Sequence, residues 1–190
     1  MSRRHHLPLH HPRPPRRWRH LPPPRRCPPP LPLPTTASST LDPSTLSRLT
    51  IIFIYPRTGA PGETIPDSWN AIPGARGCTP QACSFRDLYQ ELKSKGVEAV
   101  YGLSTQGTEY QREAKERLGL PYELLSDERL EFARGLGLPT FEFGGKRLIK
   151  RMTLAVREGR VVRVWYPVFP PDKSAKEVVR WLDEGGGKEG

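Results

Sequence analysis

Two thiols stand five positions apart in the run Gly77-Cys78-Thr79-Pro80-Gln81-Ala82-Cys83-Ser84-Phe85-Arg86-Asp87. Thr79 suits an N-cap and Pro80 a first helical position, so a helix is predicted to begin at or just after Cys78. A sulfur at that end lies over backbone N–H groups without intrahelical partners, where the helix dipole favours negative charge. The thiolate, not the thiol, attacks electrophilic oxygen or sulfur, so Cys78 has the type and place of a nucleophile. The bland alternative is a small buried hydrophobe, the ordinary fate of a lone cysteine. A second cysteine inside the same helix weighs against it.

The spacing also has a mechanical consequence. Residues five apart in an α-helix are about 8 Å from each other and point to different faces. A disulfide needs Cα atoms within roughly 7 Å. A Cys78–Cys83 bond therefore requires the first turns to unwind, which couples redox state to local unfolding.

The elements that must hold these thiols can be read in chain order. Thr50 to Tyr55 is a β-branched and aromatic run, predicted to be a central strand buried on both faces. Pro56 to Gly77 is a long Gly- and Pro-rich loop feeding directly into Cys78; its Trp69 and Ile72 suit either a lid over the site or a plain surface excursion. The helix after Pro80 carries Ala82, Phe85, Leu88, Tyr89 and Leu92 on one face and ends at Gly96. Val97 to Leu103 and Tyr122 to Leu125 read as strands. Thr108 to Leu118 and Asp127 to Leu136 read as helices, the latter capped by Ser126. Arg151 to Val156 and Val161 to Tyr166 alternate around Glu158-Gly159, a hairpin signature. A last helix is predicted from about Asp172 to Asp183, followed by a frayed tail over 186–190. This order specifies an α/β fold of thioredoxin-like type, a central mixed sheet flanked by helices, with the first three strands parallel.

Charge separates the chain into two parts. Nine of its 30 basic residues fall within the first 50 positions, against the single acidic residue Asp42, so the net charge of +10 divides into +8 there and +2 beyond. The nearly neutral remainder gives no reason to expect nucleic-acid binding. All five histidines lie in the first 20 residues, so neither a metal nor any other cofactor is expected in the domain. Three cysteines with no apolar signal-peptide core point to working thiols in a reducing compartment. No apolar run approaches the ~20 residues of a membrane span, so no membrane partner is expected.

Residues 1–34 are Arg, His and Pro with little else, and proline triplets block helix and sheet alike. We expect residues 1–48 to be a disordered extension and linker, with the domain over 49–185. The lack of acidic residues fits an organelle transit peptide, although such proline density prevents the amphipathic helix of that class. A contact with nucleic acid or an acidic surface, a spurious upstream start and a retained intron are the other readings. Cytoplasmic location is expected, with mitochondrial or nuclear location as the alternative if the basic segment is a targeting signal. Cys27 reads as an incidental exposed thiol.

The run Cys78 to Asp87, with the strand Ile51 to Pro56 before it and Arg151-Met152-Thr153-Leu154 after it, resembles the peroxiredoxins, most closely the peroxiredoxin Q branch, also called bacterioferritin comigratory protein. The resemblance covers roughly Thr50 to Leu182. It implies that Cys78 is peroxidatic and Cys83 resolving, that Arg151 of the family's R-x-T-F strand stabilises the thiolate and orients the peroxide, and that Arg86 is a further possible site residue, able equally to pair with Asp87. It implies a thiol-dependent peroxidase acting on hydrogen peroxide or organic hydroperoxides through an intrachain disulfide, recycled by thioredoxin or a similar dithiol, monomeric, and serving redox homeostasis and antioxidant defence. The family's P-x-x-x-T-x-x-C motif is broken, since Ala71 and Ala75 occupy its Pro and Thr positions; Thr58 or Thr64 is left to return the hydroxyl. The family's N-terminal β-hairpin also has no counterpart with visible alternation in residues 1–48. Two other readings remain: a redox-sensing interaction protein that uses the Cys78–Cys83 switch, and a thioredoxin-like disulfide oxidoreductase, whose thiols usually stand closer together.

Overall fold

The computed structural model describes residues 26–187. Its frame is the strand Thr50–Ile54, in which every residue is buried. Numbering strands in chain order, β1 is Leu33–Pro34, β2 Thr40–Leu41, β3 Thr50–Ile54, β4 Ala99–Ser104, β5 Leu124–Ser126, β6 Thr140–Phe143, β7 Lys146–Ile149, β8 Met152–Arg157 and β9 Arg160–Trp165. The helices are α1 Asp67–Asn70, α2 Cys78–Asp87, α3 Tyr89–Ser94, α4 Thr108–Leu118, α5 Glu131–Leu136 and α6 Ser174–Asp183. The five-stranded sheet has the order β5-β4-β3-β8-β9. Strands β3, β4 and β5 are parallel, as predicted, while β8 pairs antiparallel with both β3 and β9.

Alternation along β3 divides the core. Ile51, Phe53 and Tyr55 face a cluster with Cys78, Ala82 and Phe85 of α2 and Ala175, Val178 and Leu182 of α6. Ile52 and Ile54 face a second cluster with Phe132, Ala133 and Leu136 of α5 and with Leu33. The period of two thus puts the thiol helix and the C-terminal helix on one face of the sheet. The β8–β9 turn uses Glu158 and Gly159 at φ +50° and +61°, the positive angles that a two-residue hairpin turn demands.

Several elements depart from expectation. The helix predicted through to Gly96 is two helices, α2 and α3, broken at Leu88. The helix predicted from Asp127 begins at Glu131, and its free N–H groups at Phe132 and Ala133 donate to the Asp127 carboxylate, so Asp127 and not Ser126 is the cap. Burial pushes that carboxyl above its ordinary range. The β6–β7 hairpin, turned by Gly144 and Gly145 at positive φ, was not anticipated.

The largest correction is N-terminal. Residues 26–48, expected to be extension and linker, pack on the domain: β1 and β2 form a short hairpin, Leu33 is buried, Thr35 bridges to Leu125, and the Thr36 N–H donates to the Leu124 carbonyl. The hairpin missing from the sequence reading therefore exists, and the domain begins before Leu49. The expectation for residues 1–25 lies outside the described residues. At the other end, Gly186 donates to the Trp181 carbonyl and Arg157 to that of Gly187, so the chain is held up to the last described residue; 188–190 lie outside the described residues.

Candidate functional site

Helix α2 starts at Cys78 itself. Its N-cap is Gly77, at φ +96°, without a side-chain cap, so Thr79 and Pro80 lie within the first turn rather than at the cap and the first position. Proline costs nothing there, because the N–H groups of the first turn have no carbonyl to reach. A Cβ on Gly77 would lie 2.5 Å from Cγ of Pro171, so only glycine permits both the backbone angle and the approach. Pro171 opens the short 3₁₀ turn Pro171–Lys173 that leads into α6. The last helix thus braces the residue before the thiol.

Cys78 is 5% exposed. Its Sγ lies 3.2 Å from Nη2 of Arg151 and 3.6 Å from the carbonyl oxygen of Ala75. Arg151 immediately precedes β8, 3% exposed, and donates to the carbonyls of Gly74, Ala75 and Arg76 and to the side-chain oxygen of Gln81. No carboxylate forms an ion pair with Arg151 among the described residues. A guanidinium keeps its charge at any physiological pH, and burying it without an anion is costly. Among its hydrogen-bond partners, only the Cys78 thiol can become that anion.

Gln81, one turn after Cys78, was missed by sequence reasoning. Fully buried, it accepts from Arg151 and donates to the Ser174 hydroxyl at 3.4 Å, which in turn lies 3.0 Å from that of Thr153. This chain of polar groups locks the rotamer of Arg151 from α2, α6 and β8 together. The available signal was the i, i+3 spacing from Cys78, which puts an amide on the thiol's own face.

Cys83 is half-buried, and Cys78, Cys83 and the exposed Cys27 are all free thiols. Arg86 is not brought to Cys78. It pairs with Asp87 and donates to the carbonyl of Leu118 at 2.8 Å, its guanidinium close enough to Cys83 and Asp87 to be held above its ordinary range, the Asp87 hydrogen bond contributing most.

The loop before Cys78 is a wall. Trp69 is buried against Phe143, edge to face at 4.9 Å, and Phe141, in a small cluster with Ala75 and Leu148. Arg57 lies over the Trp69 ring and pairs with Glu63, which also accepts from the Ala60 N–H; that last bond is foremost in holding the Glu63 carboxyl below its ordinary range. The result is an open, largely apolar cleft of about 750 Å³ with Cys78 in its lining, walled by Ile65, Trp69, Phe143 and Phe169. Thr58 lines the same cleft and is buried, with its hydroxyl 3.2 Å from Gln106 Oε1, whereas Thr64 is exposed and does not line it. Among the described residues no group of His, Cys, Asp and Glu is placed to hold a metal, and no helix is long and apolar enough to cross a membrane.

A mixed sheet of this order, with a buried cysteine opening α2 between the parallel strands β3 and β4 and an arginine just before the antiparallel strand β8 against the sulfur, defines a thioredoxin-like protein built around a thiol. The family model for redoxin matches residues 26–179, and the chain belongs to that family. It is similar to the chloroplastic peroxiredoxin Q of Suaeda salsa, 37% identical over 107 residues, covering 56% of this chain and 49% of that one. The putative chloroplastic peroxiredoxin Q of Oryza sativa subsp. indica is 32% identical over 136 residues, covering 71% and 54%. The chain thus spans about half the length of the curated relatives it matches. Among solved structures, the peroxidoxin BcpB of Mycobacterium tuberculosis superposes with a TM-score of 0.65 at 26% identity, covering 81% of this chain and 92% of that one. The names of the plant relatives correct the expectation of cytoplasmic, mitochondrial or nuclear location, because each is a chloroplastic protein.

Proposed function

We propose that the chain is a thiol-dependent peroxidase that reduces hydrogen peroxide or an organic hydroperoxide through Cys78. The observation that supports this most is the 3.2 Å approach of Arg151 Nη2 to Cys78 Sγ, with no carboxylate paired to that buried guanidinium among the described residues. The Cys78 thiolate attacks the terminal oxygen of the hydroperoxide; an S–O bond forms, the O–O bond breaks, and the departing oxygen takes a proton and leaves as alcohol or water. Arg151 stabilises the anion before attack and the charge that moves onto oxygen during it. Thr58 is the hydroxyl best placed to replace the one absent at Ala75, since it lines the cleft with Cys78.

Cys83 then attacks the sulfenic sulfur, closing a Cys78–Cys83 disulfide and releasing water. An external dithiol of the thioredoxin kind reopens the bond by two exchanges. Arg86 acts on the Cys83 end rather than on the peroxide. The protein works as a monomer, without nucleic acid, and the chloroplastic names of its relatives favour a plastid.

Stopped-flow measurement of peroxide consumption with thioredoxin as reductant tests the reading. Cys78→Ser should abolish turnover, and Cys83→Ser should consume one equivalent of peroxide and stop as sulfenic acid. Sustained turnover by Cys78→Ser would sink the assignment of the nucleophile.

A further inference from the structure

Tyr122 lies two residues before β5, 3% exposed, with its ring fixed edge to face against Phe53 at 5.6 Å and near Tyr89 at 6.0 Å. Phe53 stacks in turn on Phe85 of α2 at 4.6 Å. From this anchored position the Tyr122 hydroxyl donates to the carbonyl oxygen of Ala82 at 2.7 Å. Ala82 lies between the two thiols and immediately before Cys83. Its carbonyl belongs to the turn that must open for Cys83 to approach Cys78. Burial pushes the phenol far above its ordinary range, so it remains a donor throughout the working pH range.

We propose that the Tyr122 hydroxyl is a latch on α2 that sets how fast Cys83 reaches the oxidised Cys78. The inference rests on the reading of Cys78 and Cys83 as the disulfide-forming pair. The chemical step itself is unchanged: the Cys83 sulfur attacks Cys78–SOH, the S–S bond forms, the S–O bond breaks, and the hydroxide leaves with the Cys83 proton as water. What the latch governs is the population of unwound α2 from which attack occurs. Arg86 closes the far end of the same helix against the Leu118 carbonyl at 2.8 Å, so α2 is held at two points, by the end of α4 and by Tyr122 in the connection to β5. A slow latch has a chemical cost, because a second hydroperoxide competes for the sulfenic acid: a new S–O bond forms, the O–O bond breaks, the departing oxygen takes the sulfenic proton and leaves as alcohol or water, and Cys78 becomes a sulfinic acid that Cys83 cannot resolve.

Tyr122→Phe removes the hydroxyl and keeps the ring, and the Ala82 carbonyl still accepts from its own helix. One neutral hydrogen bond lost corresponds to about a fivefold change in the unwinding equilibrium. The experiment follows single turnovers of the full chain with hydrogen peroxide by quenched-flow mass spectrometry, resolving Cys78 thiol, sulfenic acid, disulfide and sulfinic acid. The expected result is an unchanged rate of sulfenic acid formation, disulfide closure faster by about fivefold, and a matching fall in sulfinic acid at a given peroxide concentration. Tyr55→Phe is the control, because it also loses a buried hydroxyl bond, but one made to Gln111 Oε1 of α4 rather than to the α2 backbone, while its ring stays in the cluster with Cys78 and Ala82; it should leave closure unchanged. A merely structural role for Tyr122 would lower the melting temperature without selective acceleration of closure. Equal closure rates in wild type and Tyr122→Phe, with the disulfide forming in both, would overturn the latch alone. Peroxide reduction by the wild type with no Cys78–Cys83 bond would overturn the resolving role of Cys83, and the latch with it.

Discussion

Arg151 Nη2 donates to Cys78 Sγ across 3.2 Å while the same nitrogen also reaches the carbonyls of Ala75 and Arg76. One guanidinium therefore ties the sulfur to the backbone of the loop that precedes it. The planar fork of arginine is needed for this, because its Nε reaches Gly74 and its other terminal nitrogen reaches Gln81 in the same plane. Arg151→Lys keeps a charge but offers a single point of donation. We expect it to slow peroxide reduction by about 100-fold, the scale of losing one donor aimed at developing charge. Circular dichroism should confirm that the variant is folded, and a rate within threefold of wild type would remove Arg151 from the mechanism.

Gly77 and Pro171 define a second constraint. With φ at +96° and only 2.5 Å between a Cβ and Cγ of Pro171, Gly77→Ala must strain the backbone or push Pro171 and the start of α6 away. A non-glycine residue in that conformation costs on the order of 1–3 kcal/mol. The melting temperature should fall accordingly, and the peroxide rate should fall with it, since Cys78 is the next residue. Unchanged stability would mean that the 3₁₀ turn yields without cost.

Residues 26–48 supply the third prediction. Deleting residues 1–34 removes Leu33, which is buried in the second core cluster, and Pro29, whose ring occupies the space beside Gly135. Full burial of one leucine side chain contributes about 1.5–3 kcal/mol. Denaturant unfolding should show a loss of at least that size relative to a deletion of residues 1–25. Equal midpoints for the two deletions would show that residues 26–34, β1 among them, add nothing to stability.

What was legible in the sequence follows from which signals have a period. Strand β3, the β8–β9 hairpin and α6 have runs long enough for alternation or helical spacing, and Cys78 and Arg151 stand at the ends of such runs. Strands β1 and β2 are two residues each, too short to show any alternation, so the hairpin was hidden in a proline-rich segment. The β6–β7 hairpin had its Gly-Gly turn in plain view, yet its partner Trp69 is more than 70 residues away and gave no local sign that Phe141 and Phe143 had something to cover. Gln81 and Thr58 join the site through partners distant in sequence, Arg151 and Gln106, and only the folded chain brings them together.

Motion in α2 provides the last prediction. The thiols of Cys78 and Cys83 belong to one continuous helix, Cys78 buried and Cys83 half-buried, and a disulfide cannot join residues five apart in a regular helix. Oxidation must therefore unwind the segment from Thr79 to Cys83, at a cost on the order of 1–3 kcal/mol that the covalent link offsets. Amide exchange from Thr79 to Phe85 should rise in the oxidised protein. The effect on the preceding loop should be uneven. Gly74, Ala75 and Arg76 are held by Arg151 and should loosen once the sulfur leaves that guanidinium, whereas Trp69 is anchored separately on Phe143 and should keep its neighbours protected. Strand β3, buried on both faces, should not change. Identical exchange across Thr79 to Phe85 in reduced and oxidised protein would show that α2 is not the switch, and Cys78 would then have to find another sulfur, that of Cys27 or of a second chain.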